Sequence, residues 1–328
     1  MIKLNILQYN KLDLGDQNLE SLSLDSLIHN EEFDTFCKRF LSYFSFKKLK
    51  TFSFSKEGFL ALLLSLKNKK IAISKGESEA LIEASKLYLE LGFTFKYIDL
   101  NKDGSVKLDI LENEEFDYIF ISSYVMDTFL RTNLKEVKRV SNAKIISNAS
   151  ADCSNLSDII YFDNYKLSGY SLSGVMLFND DSFLEDSIGF TDSLAIYSCF
   201  KAYKNIRKDI NIKDKFLKKI EDKFGSDIYY FVDNEKTLYN SFHIGFKGIK
   251  ARELIRTLAF LDIFLSNGEG CSLGLSKPSR IIQEMGYDEL TSRNAISFSF
   301  NDNFSDDLMD YIVLKIYQKY VQLKSLEN

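Results

Sequence analysis

The sequence predicts an α/β protein, with a mainly parallel sheet in a large domain and a smaller α+β domain after it. Three observations carry that reading. Short runs rich in isoleucine, tyrosine, phenylalanine and valine recur as buried strands do, and helical patterns alternate with them. Helix between short apolar strands means crossover connections, hence parallel pairing. From about residue 192 the texture changes to longer helices and separate strands.

Taken in order, residues 1–45 form an N-terminal segment, polar at first and ending in the aromatic-rich "FCKRFLSYFSF". Residues 46–200 form the large α/β domain. There "EALIEASKLYLELGF" spaces its apolar residues as one face of a helix, with Gly92 as the stop signal. "TFKYIDL", "DYIFISS", "AKIIS", "DIIYF" and "GVMLF" read as its strands. Residues 201–328 form the small domain. The boundary is expected along a long helix, "DSLAIYSCFKAYKNIRKDI", which leads to strands in "DIYYFVD" and "SFHIGF". A helix over "ARELIRTLAFLDIF", a strand in "AISFSF" and a long closing helix from "SDDLMDYIVL" follow.

Composition narrows the chemistry. The 328 residues are 45% hydrophobic and 27% charged, with a formal net charge of −5, one proline, no tryptophan, two histidines and 15 glycines. Average usage gives roughly 16 prolines and 23 glycines at this length, so collagen-like and proline- or glycine-rich material is excluded. The mild acidity offers no footprint for nucleic acid, and lysines alternate with acids, as on the solvated helix face in "KDINIKDKFLKKIEDKFG". The longest apolar run, Phe59 to Leu66, falls far below the roughly 20 residues of a membrane span. The start lacks the pattern of a signal peptide, so a cytoplasmic protein is expected. Four cysteines (Cys37, Cys153, Cys199, Cys271) show no CxxC spacing, which argues against zinc and against a disulfide framework. Of the histidines, His243 reads as a packed core residue and His29 as exposed.

The single proline, Pro278, stands in "SNGEGCSLGLSKPSRIIQEMG" and suits the first turn of a short helix stopped by Gly286. Before it, Gly268, Gly270 and Gly274 bracket Cys271, on a loop expected to be mobile. This stretch resembles the cysteine desulfurases, pyridoxal phosphate (PLP) enzymes of the class V aminotransferase superfamily. The counterparts of their active-site loop are Ser266, Gly268, Cys271, Gly274, Pro278 and Ser279. The resemblance extends through "NAISFSF", "NSFHIGFKGIKARELIRTL" and the stretch from "KKIAISKGESEAL" to "GSVKLDIL", in family order, though the family's N-terminal motif has no counterpart. It implies the PLP-dependent transferase fold, fold type I.

The resemblance also implies site residues. "YFDNYKLSGYSLSG" looks like the family's lysine segment, which makes Lys166 the residue that holds PLP as a Schiff base. Cys271 is then the thiolate that takes sulfur from cysteine and carries it as a persulfide. Other positions depart from the family. The aspartate that keeps the pyridine nitrogen protonated aligns with Asn148, the ring-stacking histidine with Ser78 and the asparagine at the cofactor's hydroxyl with Val125. Around the phosphate the family's threonine, serine and histidine align with Glu57, Asp163 and Tyr165. Two carboxylates there oppose a dianion, and a register slip of one offers Ser55 or Lys56 instead. Thr191 matches the phosphate contact from a neighbouring subunit, and the substrate-gripping arginine aligns with Ser297.

Two functions follow from the resemblance. One is a desulfurase relative with an eroded PLP site, a pseudoenzyme with an accessory or binding role in sulfur or iron–sulfur metabolism. The other is an active PLP-dependent cysteine desulfurase using Lys166 and Cys271. Either implies a homodimer, with a sulfur acceptor or iron–sulfur scaffold protein as partner, and neither calls for nucleic acid or membrane.

Overall fold

A computed structural model of the chain describes residues 1–5, 31–183, 191–268 and 277–327. The first half runs β1 (Ile2–Lys3), α1 (Glu31–Phe44), β2 (Lys48–Phe52), α2 (Lys56–Ser65), β3 (Ile71–Ser74), α3 (Glu79–Glu90), β4 (Lys96–Ile98), α4 (Asp109–Asn113), β5 (Tyr118–Phe120), α5 (Leu134–Val140) and β6 (Lys144–Asn148). Then come β7 (Ile159–Phe162), α6 (Asn164–Ser168), β8 (Gly174–Phe178) and α7 (Ser193–Lys204). The remainder is α8 (Lys213–Phe224), β9 (Ile228–Tyr229), β10 (Ser241–Phe246), α9 (Ala251–Ala259), β11 (Ile263–Phe264), α10 (Arg280–Glu284), α11 (Glu289–Ser292), β12 (Ala295–Ser299) and α12 (Asp306–Glu327).

The main sheet has seven strands in the order β2-β8-β7-β6-β5-β3-β4. Strands β3 to β7 are mutually parallel, and only β8 runs against its neighbours β7 and β2. The five expected strand runs all lie in this sheet. Both of its faces are buried, which is why they read as continuous apolar runs rather than alternating ones. In β7, Ile159 and Tyr161 point into a cluster with Phe59 and Leu62 of α2 and Tyr88 of α3. Ile160 and Phe162 point the other way, against Phe40 of α1 and Cys199 and Phe200 of α7. The central strands bury a further set, Ile119 and Ile145, against Leu134 and Val137 of α5.

A second sheet, β12-β10-β9, is antiparallel. One face carries Phe242, Ile244, Phe246, Ile296 and Phe298 into a core shared with α8, α9 and α12. The other face carries Ser241, His243, Ser297 and Ser299, all buried. Between the two sheets lies an apolar cluster of Tyr124, Val125, Met126, Phe129 and Leu130 with Phe231, Leu238, Ile281, Ile282 and Met285.

Several local expectations are corrected. The helix after residue 192 ends at Lys204, capped by Asn205, and "NIRKDI" is not part of it. "ARELIRTLAFLDIF" divides into α9 and strand β11, because Asp262 takes a left-handed φ of 57° that no helix continues through. "DIYYFVD" contributes only the two residues of β9. Pro278 stands before the cap rather than in the first turn: Ser279 is the N-cap of α10, its hydroxyl accepting from the Ile282 N–H. The N-terminal segment also divides. Its first residues form β1, parallel to β11, while α1 packs on α7 beside the large sheet. By contrast, α3 ends where expected, with Gly92 at φ 86°, and Gly286 follows α10 at φ 88°.

No described helix is long and apolar enough to cross a membrane. The aromatic start of the large sheet's outer layer is tightly built. Phe40 is fully buried, its ring stacked on Phe200 at 4.7 Å and tilted against Phe162 at 5.9 Å. Phe40→Ala is expected to lower unfolding free energy by about 3–5 kcal/mol, the usual cost of deleting a buried phenylalanine. A urea denaturation midpoint measures it.

Candidate functional site

Parallel strands end on one edge of their sheet, and the residues that follow β3, β5, β6 and β7 meet there. After β3 come Gly76, Glu77 and Ser78, and after β5 come Ser122, Tyr124 and Val125. Asn148 is the last residue of β6, and β7 gives way to Asp163 and the short helix carrying Lys166. The loops touch directly: the Met126 N–H donates to the Gly76 carbonyl at 3.0 Å, and a Cβ on Gly76 would lie 3.2 Å from Val125.

A buried hydrogen-bond chain runs along this edge. Glu77 is fully buried, accepting from the Ser122 hydroxyl at 2.7 Å and the Tyr161 hydroxyl at 2.9 Å. Burial pushes its carboxyl above the usual range, and those two donors oppose the shift. The Asn148 N–H donates to Ser122 Oγ at 3.1 Å. Asn148 Oδ1 accepts from both the N–H and the hydroxyl of Ser150, at 2.9 and 2.6 Å. Ser150 Oγ accepts in turn from the Asp163 N–H at 2.7 Å. Asp163 caps α6 by accepting from the Lys166 N–H, and burial raises its carboxyl pKa against the pull of Lys166. At the end of the chain, Lys166 Nζ donates to the Tyr124 hydroxyl.

The other expected site residues are placed as follows. Ser78 caps α3, accepting from the Leu81 N–H, so its hydroxyl serves the helix. Val125 is buried in the apolar cluster between the sheets. Glu57 is exposed in the first turn of α2, and backbone and Ser55 hydrogen bonds hold its carboxyl below the usual range. Ser55 caps α2, and Tyr165 is exposed. Thr191 is exposed, one residue ahead of Asp192, the cap of α7. Ser297 is buried on β12, its hydroxyl donating to the Asp127 carbonyl at 2.8 Å. Cys271, Gly270 and Gly274 lie outside the described residues, as does His29. The segments flanking Cys271 both reach Asp127: the Ser279 hydroxyl donates to its carboxylate at 2.7 Å, and a Cβ on Gly268 would lie 2.4 Å from it.

The donor set can be compared with what PLP needs. A protonated pyridine nitrogen needs an anion, and Asn148 offers a neutral amide whose oxygen already accepts twice from Ser150. Its phosphate needs cations or free N–H groups, and the aligned residues are carboxylates and an exposed tyrosine. Ser78 offers no ring to stack. With the residue assignments that the resemblance implies, the described residues do not supply the charges and ring that the group calls for. Tyr124, Ser150, Glu77 and Asp127 were not singled out from sequence. Tyr124 and Asp127 stood within "YVMDTF" and Glu77 within "SKGESEAL", but only the fold reveals that these segments converge.

The remaining cysteines are not activated. Cys37, Cys153 and Cys199 are free thiols, and burial pushes Cys37 up to about 12 and Cys153 to about 11, with Cys199 well above its ordinary value. Among the described residues no group of three His, Cys, Asp or Glu side chains is placed to hold a metal ion.

The seven-stranded sheet with a single antiparallel strand and a smaller C-terminal sheet has known parallels. No protein-family model matches the sequence. A NifS-like protein superposes with a TM-score of 0.77 at 16% identity, covering 98% of this chain and 100% of its own. An apo cysteine desulfurase from Thermococcus onnurineus NA1 gives a TM-score of 0.71 at 13% identity, covering 98% of this chain and 95% of its own. This is the cysteine desulfurase fold. In sequence, the cysteine desulfurase IscS of Pseudomonas syringae is 20% identical over 297 residues, 79% of this chain and 72% of the relative.

Within this cysteine desulfurase-like fold one histidine is notable for its isolation. His243 on β10 is fully buried beside Phe231, ring centroids 5.3 Å apart, and neither ring nitrogen has a hydrogen-bond partner among the described residues. Burial pushes its pKa down from 6.5 to about 3. The expectation of a packed core histidine holds. The neutral ring is compatible with the fold above its unfolded pKa, while below it the unfolded chain binds the extra proton. Stability from this residue is therefore complete above about pH 6.5 and declines toward pH 3, by up to about 1.4 kcal/mol per pH unit. His243→Phe is expected to flatten the slope of unfolding free energy over that window, measured by denaturation at stepped pH.

Proposed function

We propose that this chain is a cysteine desulfurase-like protein whose cofactor site has eroded, and that it acts as an accessory or binding component of sulfur or iron–sulfur metabolism. The observation that carries this reading is the closure of Asn148 on Ser150. At the position where the family's chemistry needs a carboxylate to hold the pyridine nitrogen protonated stands a neutral amide whose oxygen already accepts twice from Ser150. Without that anion the ring is a poor electron sink. Asp163 and Glu57 add negative charge where the resemblance expects a phosphate, and Ser297 removes the charge-assisted anchor for a substrate carboxylate. By resemblance the assembly is a cytoplasmic homodimer, with Thr191 at the neighbouring site and a sulfur acceptor or iron–sulfur scaffold protein as partner.

The position of Lys166 favours a second reading, in which the chain is an active PLP-dependent desulfurase. Lys166 is buried on the helix that follows β7, at the carboxyl edge of the parallel strands. In that reading Lys166 binds the cofactor, Cys271 carries the persulfide, and Asn148 and Ser78 are cofactor neighbours.

Titration of the purified protein with PLP separates the two. The eroded site predicts no new visible absorption band beyond that of free PLP, and no difference between wild type and Lys166→Ala. A band that saturates at one PLP per chain and disappears in Lys166→Ala would overturn it. Cysteine-dependent sulfide release, lost in Cys271→Ala, would then establish the desulfurase.

A further inference from the structure

We infer that Tyr124 is an internal plug: its phenol ring occupies the approach to Lys166 and holds that amine against itself, so the lysine is closed to aromatic aldehydes. The inference rests on the eroded-site reading above and names the group that closes the site. Lys166 Nζ donates to the Tyr124 hydroxyl and lies 4.7 Å from the centre of its ring. Both residues are buried, Tyr124 at 1% exposure and Lys166 at 6%. A buried ammonium must find compensating partners, and the phenol oxygen supplies one.

The ring is held in place by its backbone and its neighbours. Tyr124 bridges Arg131 in antiparallel fashion, the Val125 N–H donates to the Leu130 carbonyl at 2.8 Å, and the Phe129 N–H donates to the Val125 carbonyl at 3.0 Å. The turn between them depends on left-handed Asp127 and Phe129, with φ of 62° and 60°. Around the turn Phe231, Leu238 and Ile281 from the C-terminal part pack on the same cluster. Swinging the tyrosine out would break this packing, so the plug is a feature of the folded chain rather than one rotamer among several.

The test is reductive trapping on the full chain. Wild type, Tyr124→Leu and Tyr124→Phe are each incubated with pyridoxal, or with PLP, then reduced with borohydride, and modification at Lys166 is read by peptide mass spectrometry. Exposed lysines such as Lys236 report that the reagent is active. Pyridoxal lacks the phosphate that the local carboxylates oppose, so it is the more sensitive probe. Lys166 labelling is expected to be low in wild type and to rise about tenfold in Tyr124→Leu, as loss of the buried ammonium's hydrogen bond predicts. Tyr124→Phe keeps the ring and loses the hydroxyl, so it should rise less, and it serves where the leucine variant does not fold by circular dichroism. Lys166 labelling in folded Tyr124→Leu no higher than in identically treated wild type would overturn the plug while leaving the eroded-site reading standing. Stoichiometric PLP labelling of Lys166 in wild type would overturn the eroded-site reading itself.

Discussion

Everything at the candidate site follows from the double burial of the seven-stranded sheet. Helices cover both faces, so the loops at its carboxyl edge enter a region where water cannot satisfy their polar groups. Each such group left unpaired there costs about 1–3 kcal/mol. In an enzyme of this fold a bound cofactor and substrate can share that demand. In this chain the demand is met internally, by Glu77 with Ser122 and Tyr161, by Asn148 with Ser150, by Ser150 with Asp163, and by Lys166 with Tyr124.

That internal closure bears on Asn148, where the resemblance expects an aspartate. A carboxylate at position 148 would place a third acid on a chain that already contains buried Glu77 and Asp163. An amide there leaves the chain short of one negative charge and lets Ser150 donate twice to a single oxygen. The serines tell the same story: small hydroxyl residues at 122, 150 and 297 relay hydrogen bonds over short distances without demanding a charge. Polar networks of this kind are stable only when every member is satisfied.

The fold was largely legible in the sequence. The strand runs from "TFKYIDL" to "GVMLF" are apolar because both sheet faces are covered, and that signal is local. The N-cap role of Ser78 and the pairing of β1 were not legible. Ser78 was read for its place in a family motif, while its hydroxyl answers to the helix that begins one residue later. The site was legible only in part. Lys166 and Asn148 lie in segments whose order matches the family, so sequence could locate them at the sheet edge. Tyr124 acts through a contact between segments 42 residues apart, and Ser150 links β6 to the start of α6, which neither spacing nor periodicity records. The redivision of "ARELIRTLAFLDIF" into helix and strand has a similar cause: a left-handed residue at Asp262 breaks a pattern that hydrophobic spacing alone would carry onward.

The pairing of Ile2 and Lys3 with Ile263 and Phe264 has a kinetic side. Leu4 is fully buried in the C-terminal core, and Asn5 bridges Ser299, so residues 2–5 are integral to a sheet and core made from the far end of the sequence. Contacts of such long range form late, because loop-closure entropy must be overcome before they contribute. Strands β3 to β7 pair through neighbouring crossover units, whereas the smaller core needs residues 2–5 to meet β11 far along the chain. Substitutions in Ile2 to Asn5 would therefore be felt more than 250 residues onward, in the assembly of the β11 region.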